Sequence, residues 1–396
     1  MSDQIPLEIV SKIISRCEAA ALGRCRCVSK QWRALIGSPH FIKQHLEYAT
    51  RANFSSVFFK QQSSLVQASM DSTATFSVPI TDEVKPFFIV GTCSGLLLLR
   101  KNQTHDFCIL NPTTNQHVYL KKLLPSDFLS QATAVFLGFG FGYDSGKDDY
   151  KVIRIAQEFN PATMGYLRTE MVISSVKKKA LKFVKMPYFI QTTLGFFSDG
   201  ALHWLMGKYN HENLRLIVGY DLATGEFREL PLPDFRKDAE DFKCKGNVTV
   251  DCSMGVGQLG KWISLCANYG ESMGVSIWAM KEYGVKESWT KLFSISLAKL
   301  PSAIIKPLGL MENGNLVLLE LNNAPLVWYD RKEKKVRTLM QNKSGEAMIC
   351  LTTIAPVPST KNGKKGDKNS SSGNPKKTAR KKNRDDFLSK GFKIKL

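Results

Sequence analysis

A glycine followed by a short apolar run recurs through the middle of the chain and constrains the fold more than any other feature. Such runs, each followed by further strand-like segments, begin at Gly95, Gly200, Gly260 and Gly314. These glycines are 105, 60 and 54 residues apart, and the longest gap accommodates one more unit at 150–175. A repeat of roughly fifty residues, each unit a small antiparallel sheet, is typical of a β-propeller.

We therefore predict a mainly β fold, with a propeller-like domain of five to six blades over residues 86–357. Each glycine would stand where a strand starts near the centre, and the turn at 221–225 would join outer strands. Residues 47–85 are polar, without helical periodicity, and are interpreted as a connector. A β-sandwich with irregular strands is the alternative fold.

The first 46 residues have a different pattern, which predicts short apolar helices. Pro6 suits a first helical turn, and Glu8 lies favourably near the positive end of the helix dipole. Ile9, Val10, Ile13, Ile14 and Cys17 then form one apolar stripe. A segment this small buries little surface by itself, so we expect part of its apolar face to belong to another protein.

Three further helices follow the stripe. Residues 19–27 form the second, with Leu22 on its inner side. Ser29 caps a third helix that carries Trp32 and stops at Gly37. The Ser-Pro pair at 38–39 opens a fourth.

These residues resemble the F-box, and closely its plant form. The matching pieces are Pro-Leu at 6–7, Ile-Ile-Ser-Arg at 13–16, Arg-Cys-Val-Ser-Lys-Gln-Trp-Arg at 26–33 and Pro-His-Phe at 39–41. The family usually has Leu-Pro-x-Lys between its first two helices, where this chain has Cys-Glu-Ala-Ala at 17–20. An ordinary helical cap on the downstream domain is the alternative interpretation.

The resemblance implies that residues 1–46 dock on a Skp-type adaptor and, through it, on a cullin. The residues expected to bind the adaptor are Pro6, Leu7, Ile9, Val10, Ile13, Ile14, Leu22, Cys27, Val28, Ser29 and Trp32.

The repeated region resembles the plant F-box-associated type 1 domain, which is propeller-like. The matching pieces lie, in order, at 94–97, 111–114, 140–144, 148–152, 200–204, 278–284 and 287–291. Each piece alone is unspecific, but their order and spacing extend over most of residues 86–340. Together the two resemblances account for nearly all of the chain outside its C-terminal tail.

The sequence offers no convincing catalytic or metal site, and we expect no cofactor. The glycine-rich segment at 138–142 lacks the Lys-Ser/Thr of a phosphate loop. The acids at 144–149 lack calcium-loop spacing and are interpreted as a hairpin turn with exposed carboxylates. His203 is interpreted as a buried strand residue, and His211-Glu212 is not followed by a second histidine at metalloprotease spacing. The nine cysteines include no Cys-x-x-Cys pair and suggest a reducing compartment.

The net charge of +20 is concentrated at the C-terminal end. Residues 361–396 contain thirteen Lys or Arg and three Asp, so residues 358–396 are expected to form a basic, mostly disordered tail. A run within it resembles a nuclear-import signal and comprises Lys376, Lys377, Arg380, Lys381, Lys382 and Arg384. We expect at most weak, salt-sensitive contact of this tail with nucleic acid.

The leading hypothesis is a non-catalytic substrate receptor of an SCF-type ubiquitin ligase, located in the nucleus and cytoplasm. Its protein substrate is unknown, and the candidate binding loops are 158–166, 206–214 and 267–274. No signal peptide or membrane-spanning run is expected, since the longest apolar runs are far too short to cross a bilayer. The alternatives are a ligase-independent propeller scaffold and a nucleic-acid-binding protein.

Overall fold

The computed structural model of the chain begins with four helices and continues as a ring of β-sheets. It describes residues 6–69, 75–78, 87–101, 106–121, 123–124, 134–163, 165–208, 215–235, 253–269, 274–295, 305–310, 315–321, 325–340 and 344–359. These residues all belong to one compact unit, residues 1–360.

The helices lie close to where the sequence predicts them. They are α1 (Leu7–Ile14), α2 (Ala19–Cys25), α3 (Lys30–Ile36) and α4 (Pro39–Arg51). The Ser29 hydroxyl accepts the Trp32 N–H at 3.1 Å and caps α3, and Ser38 caps α4 through the Phe41 N–H. The second helix ends at Cys25, two residues before its predicted end.

The strands form six antiparallel sheets, which we name blades 1–6. Blade 1 contains β4 (Phe87–Cys93), β5 (Leu96–Lys101), β6 (Phe107–Asn111) and β7 (Gln116–Leu120). Blade 2 contains β8 (Ala134–Asp144), β9 (Asp149–Phe159), β10 (Tyr166–Ser175) and β11 (Leu181–Lys185). Blade 3 contains β12 (Tyr188–Ile190) and β13 (Phe196–Ser198), which both pair with the next strand and together take the first-strand position. Its second, third and fourth strands are β14 (Ala201–Lys208), β15 (Arg215–Asp221) and β16 (Phe227–Leu230).

Blades 4 and 5 follow in the same order along the chain. Blade 4 contains β17 (Ser253–Leu259), β18 (Trp262–Asn268), β19 (Val275–Met280) and β20 (Trp289–Ile295), which a 3₁₀ turn (Lys286–Ser288) precedes. Blade 5 contains β21 (Ile305–Leu310), β22 (Leu316–Leu321), β23 (Leu326–Asp330) and β24 (Lys335–Met340). Blade 6 combines both ends of the β region: β1 (Ser55–Gln61), β2 (Ser64–Ser69), β3 (Thr75–Val78) and β25 (Ser344–Leu351).

Blade 6 closes the ring and changes the interpretation of residues 47–85. The sequence interpretation treats this stretch as a connector, whereas the structure places three of its segments in strands β1–β3. The innermost strand β25 pairs with β1 in antiparallel register, from Ser55 opposite Leu351 onward. The fold is therefore a six-bladed propeller whose last blade joins the first and last strands of the domain.

The core lies between the blades, in six clusters that each join two neighbouring blades. In β5, Leu96 and Leu98 pack toward blade 2, while Leu97 and Leu99 pack toward blade 6. Successive strand residues point to opposite sides, so a strand buried on both sides needs an unbroken apolar run. This explains the runs that follow the repeated glycines.

The turns of each blade define two faces of the propeller. Antiparallel strands reverse at every turn, so the first–second and third–fourth strand turns lie at one end, which we call the near face. The second–third strand turns lie at the other end, the far face. The near-face turns include Ser94-Gly95 between β4 and β5, where both residues have positive φ.

The third–fourth strand turns of three blades share one side-chain device. Asn111, Asp221 and Asp330 each accept two backbone N–H groups of the following turn through Oδ1, at 2.8–3.1 Å. Such Asx turns fix the chain reversal locally. The turn at 221–225 joins β15 to β16, the two outer strands of blade 3.

Residues 352–357, which we call the strap, continue from β25 across the near face of blade 1. The buried Asn111 amide donates to the carbonyls of Thr353 and Ala355 at 3.0 and 2.7 Å. The Thr353 hydroxyl donates to the Ser94 carbonyl at 3.3 Å. Between these anchors, Ile354 packs in the core of the N-terminal helices with Ile14, Leu22, Ile36 and Phe41. The strap thus joins the helices to the propeller.

Candidate interaction surfaces

The N-terminal helices expose large apolar side chains that their own core does not need. Leu7, Ile9 and Ile13 of α1 are 48%, 49% and 58% exposed, and Val28, just before α3, is 66% exposed. Ile9 and Ile13 lie one helical turn apart and therefore share one side of α1. Leaving this much apolar surface in water is unfavourable, so such a group marks a contact surface for a partner.

The remaining residues that were predicted to bind the adaptor fall into exposed, half-buried and core positions. Pro6, Cys27 and Ser29 are also exposed, and Ser29 has a structural task as the cap of α3. Val10 and Trp32 are half-buried against the helical core. Ile14 and Leu22 are core residues, 6% and 0% exposed. Leu22 therefore has the inner position expected of it, whereas the expectation that Ile14 is exposed with Ile9 and Ile13 is corrected. Phe41 of α4 and Ile354 of the strap cover them.

The departure from the usual family pattern at 17–20 lies in the turn between α1 and α2. Glu18 is the residue before the first turn of α2, and Ala19 is buried as the first residue of that helix. Leu7 and Ile9 lie at the opposite end of α1 from this turn, whereas Ile13 lies close to it.

A second group of exposed apolar side chains lies on blade 2 at the far face. Phe136, Tyr166 and Leu167 are 38%, 39% and 50% exposed, and they flank the turn between β9 and β10. The Tyr166 ring meets the Phe159 ring edge-on, with centroids 6.4 Å apart. This group lies in and beside the predicted loop 158–166, at the end of the propeller away from the strap.

The described ends of the three predicted loops lie at the same face of the propeller. Each joins the second and third strands of its blade: 158–166 in blade 2, 206–214 in blade 3 and 267–274 in blade 4. Residues 164, 209–214 and 270–273 lie outside the described residues. The flanking Phe136 could not be singled out from the sequence, because only the sheet register brings it beside residues of β9.

The acids at 144–149 form the predicted hairpin turn, but only part of the group is exposed. Asp144 and Asp149 are 1% and 3% exposed, and Lys151 Nζ lies 2.6 Å from an oxygen of Asp149. Asp148 is the exposed member; hydrogen bonds from Lys177 and Tyr143 lower the pKa of its carboxyl. The expectation that all three are exposed is therefore corrected: these carboxylates bond side chains of their own blade and do not form a calcium loop.

His203 is buried in β14, as the sequence interpretation expects. Its Nε2 lies 2.9 Å from the Tyr283 hydroxyl, and its ring stacks on Phe196. Burial lowers the pKa of His203 to about 4, so the ring is neutral at physiological pH. Burial likewise raises the pKa of the thiols of Cys93, Cys108 and Cys350 to about 12, which makes them unreactive.

Neither a metal site nor a membrane-spanning helix occurs in the described part of the chain. Within it, no three or more His, Cys, Asp or Glu side chains converge as a metal site would require. No helix there has the length and apolar character needed to cross a bilayer. The predicted import run at 376–384 and the His-Glu pair at 211–212 lie outside the described residues.

Comparison with known families covers both parts of the fold. The F-box domain matches residues 2–44, and the F-box associated beta propeller domain matches residues 46–356. The chain belongs to this family of F-box proteins. Helices α1–α4 are thus its F-box, and blades 1–6 are its F-box associated propeller.

Plant F-box proteins resemble the chain over nearly its whole length. F-box protein CPR1 of Arabidopsis thaliana is 31% identical over 430 aligned residues, which cover 99% of each chain. F-box protein At4g22390 of the same plant is 27% identical and covers 99% of this chain. Among solved structures, an oligogalacturonate lyase from Vibrio parahaemolyticus aligns with a TM-score of 0.39 at 10% identity, over 70% of this chain and 71% of that one. A likeness at this level carries no argument about activity.

Proposed function

We propose that this F-box protein is the substrate-recognition subunit of an SCF-type ubiquitin ligase. The observation that carries the proposal is the separation of two exposed apolar groups on one compact unit. One group lies on the F-box around Ile9 and Ile13, and the other lies on blade 2 at the far face around Leu167. A Skp-type adaptor would bind the first and a protein substrate the second.

The protein would act without catalysis of its own. Holding a substrate near the ubiquitin-conjugating enzyme raises the effective concentration of the substrate's lysines, and this proximity is its proposed contribution. Since the strap joins the F-box to blade 1, the distance between the two contact surfaces is set by packed structure and not by a linker.

Co-purification with a Skp-type adaptor tests the first half of the proposal. The double variant Leu7→Asp plus Ile13→Asp places two charges at exposed positions of α1 without touching its core. We expect adaptor binding to fall at least about a hundredfold, because two contact residues are lost together. The matched control is Leu181→Asp plus Val285→Asp, which introduces the same charges at two exposed apolar positions of the propeller. Adaptor binding that survives the first variant would refute the ligase proposal.

Substrate capture tests the second half. The adaptor-deficient variant retains substrates that would otherwise be degraded, and proteins bound to it are compared with those bound after Leu167→Asp is added. Loss of specific proteins on adding Leu167→Asp places the substrate on the far face. An unchanged set would exclude this group as the substrate site.

A ligase-independent scaffold is the second candidate, and one observation favours it. Ile354 of the strap fills part of the F-box core, as expected of helices that only cap a propeller. This alternative gives no role to the exposed Leu7, Ile9 and Ile13, and adaptor co-purification separates the two functions.

We also propose that the protein is distributed between nucleus and cytoplasm, on the basis of its basic run at 376–384. A fluorescent fusion in which the lysines and arginines of this run are replaced by alanine should lose nuclear accumulation. Equal nuclear signal from both fusions would refute the import role.

A further inference from the structure

A basic cavity lies between blades 4 and 5 on the outer part of the propeller. Its volume is about 410 Å³. One wall is β20, through Phe293 and Ser294, and the other comes from blade 5, through Asn315 and Tyr329. The Phe293 and Tyr329 rings stack with centroids 5.9 Å apart and form an aromatic floor.

Three cationic side chains complete the lining: Arg331, Lys332 and Lys334. They belong to the near-face turn between β23 and β24. The Arg331 guanidinium lies 4.8 Å from the centre of the Phe293 ring, and its Nη2 donates to the Leu292 carbonyl at 3.0 Å. This guanidinium is therefore held in place across the boundary between the blades, while the two lysines are exposed at the rim.

The carboxylates adjacent in sequence are bonded within the turn and to the following strand, and the charge of Asp330 also acts on Lys332. Asp330 Oδ1 accepts the backbone N–H groups of Lys332 and Glu333 at 2.9 and 3.0 Å, as in the Asx turns of blades 1 and 3. Glu333 pairs with Lys335 at 3.2 Å and with Arg337 at 3.8 Å. Of the described residues that line the cavity, three are cations and none is Asp or Glu.

We propose that this cavity binds a phosphoryl group. Arginine and lysine form strong charge-assisted hydrogen bonds with phosphate oxygens, and the hydroxyls of Ser294 and Tyr329 and the amide of Asn315 supply neutral donors around them. The cavity is large enough for a phosphorylated side chain or a small phosphate ester. The inference does not depend on the proposed ligase function, because the cavity involves neither the F-box nor the blade 2 group.

Binding measurements on the full chain test the proposal with three probes. Inorganic pyrophosphate represents a free phosphate, and a phosphoserine peptide with its unphosphorylated twin represents a protein-borne one. The test variant is Lys332→Gln plus Lys334→Gln. The matched control is Lys178→Gln plus Lys179→Gln, in the corresponding turn of blade 2, because Lys179 and Lys334 have φ of 54° and 53° and both pairs are exposed.

We expect at least one phosphorylated probe to bind wild type and control equally, and to bind the test variant at least about tenfold more weakly, as the loss of a charge-assisted hydrogen bond predicts. Tighter binding of pyrophosphate indicates a free phosphate compound as the ligand, and tighter binding of the phosphopeptide indicates a phosphorylated protein. The affinity should also fall as salt is raised. The proposal is overturned if neither pyrophosphate nor the phosphopeptide binds, if the phosphopeptide alone binds and its unphosphorylated twin binds equally well, or if test and control variants lose affinity equally.

Discussion

Ile354→Ala should loosen the F-box while leaving the propeller closed. Ile354 is 9% exposed and packs with Ile14, Leu22 and Phe41 across the junction. The substitution removes three carbon groups at about 0.8 kcal/mol each and leaves a cavity, and core Ile→Ala changes cost about 2–5 kcal/mol. Since the strap contributes only one edge of this core, we expect a loss of about 3 kcal/mol in the local stability of the helices.

Hydrogen exchange measured by mass spectrometry reports this loss region by region. A loss of about 3 kcal/mol corresponds to roughly a hundredfold lower protection of the α1–α3 amides. The matched control is Ile349→Ala, five residues earlier, whose side chain packs in the cluster between blades 5 and 6. Protection in the helices that stays at the wild-type level in Ile354→Ala, or falls equally in both variants, would refute the conclusion that the strap belongs to the F-box core.

Three other predictions concern the same framework. Gly95→Ala should lower stability by several kcal/mol more than Gly200→Ala, because both glycines have positive φ but only at Gly95 would the new methyl collide with Thr353; the measurement is the urea midpoint of each variant. Asn111→Asp should cost about 3 kcal/mol, since a carboxylate cannot donate to the two strap carbonyls, and thermal melting at neutral pH checks this. The folded-state pKa of His203 lies near 4, below its ordinary 6.5, so falling pH protonates the unfolded chain first and stability declines over this window. Between pH 7 and pH 4.5 the free energy of unfolding should therefore fall about 2 kcal/mol more in wild type than in His203→Gln. Urea titrations at both pH values measure this difference, and an equal fall in the two proteins contradicts the reasoning.

The repeated blades were predictable because the apolar pattern of each blade lies within one continuous stretch of sequence. A strand such as β5 packs against a neighbour on both sides, and its unbroken leucine run is visible in the sequence without any knowledge of the ring. The F-box helices were predictable for a similar reason, since Ser29 and Ser38 mark where α3 and α4 begin.

What could not be predicted depends on contacts between distant parts of the chain. Strands β1–β3 were interpreted as a connector because β25, the partner of β1, lies at the other end of the domain. Ile13 and Ile14 are adjacent and chemically identical, yet one is exposed and the other buried, because Phe41 and the strap cover only Ile14. The basic cavity is likewise formed by two blades, and the sequence shows only the cluster of charged residues in its turn at 331–334.

Ring closure also sets the order in which a nascent chain can mature. The F-box leaves the ribosome first, but the strap residue that completes its core comes near the end of synthesis. Thr352 bonds the Phe54 carbonyl across a separation of 298 residues. Contacts so distant in sequence form slowly, and the final contacts at the F-box must wait for the whole propeller to be made. A chain that stops before residue 344 therefore lacks β25, and its F-box core lacks Ile354, even though every residue of the F-box itself is present. Only completed chains would therefore have a fully packed F-box, so the packing of the N-terminal helices depends on synthesis of the C-terminal strand and strap.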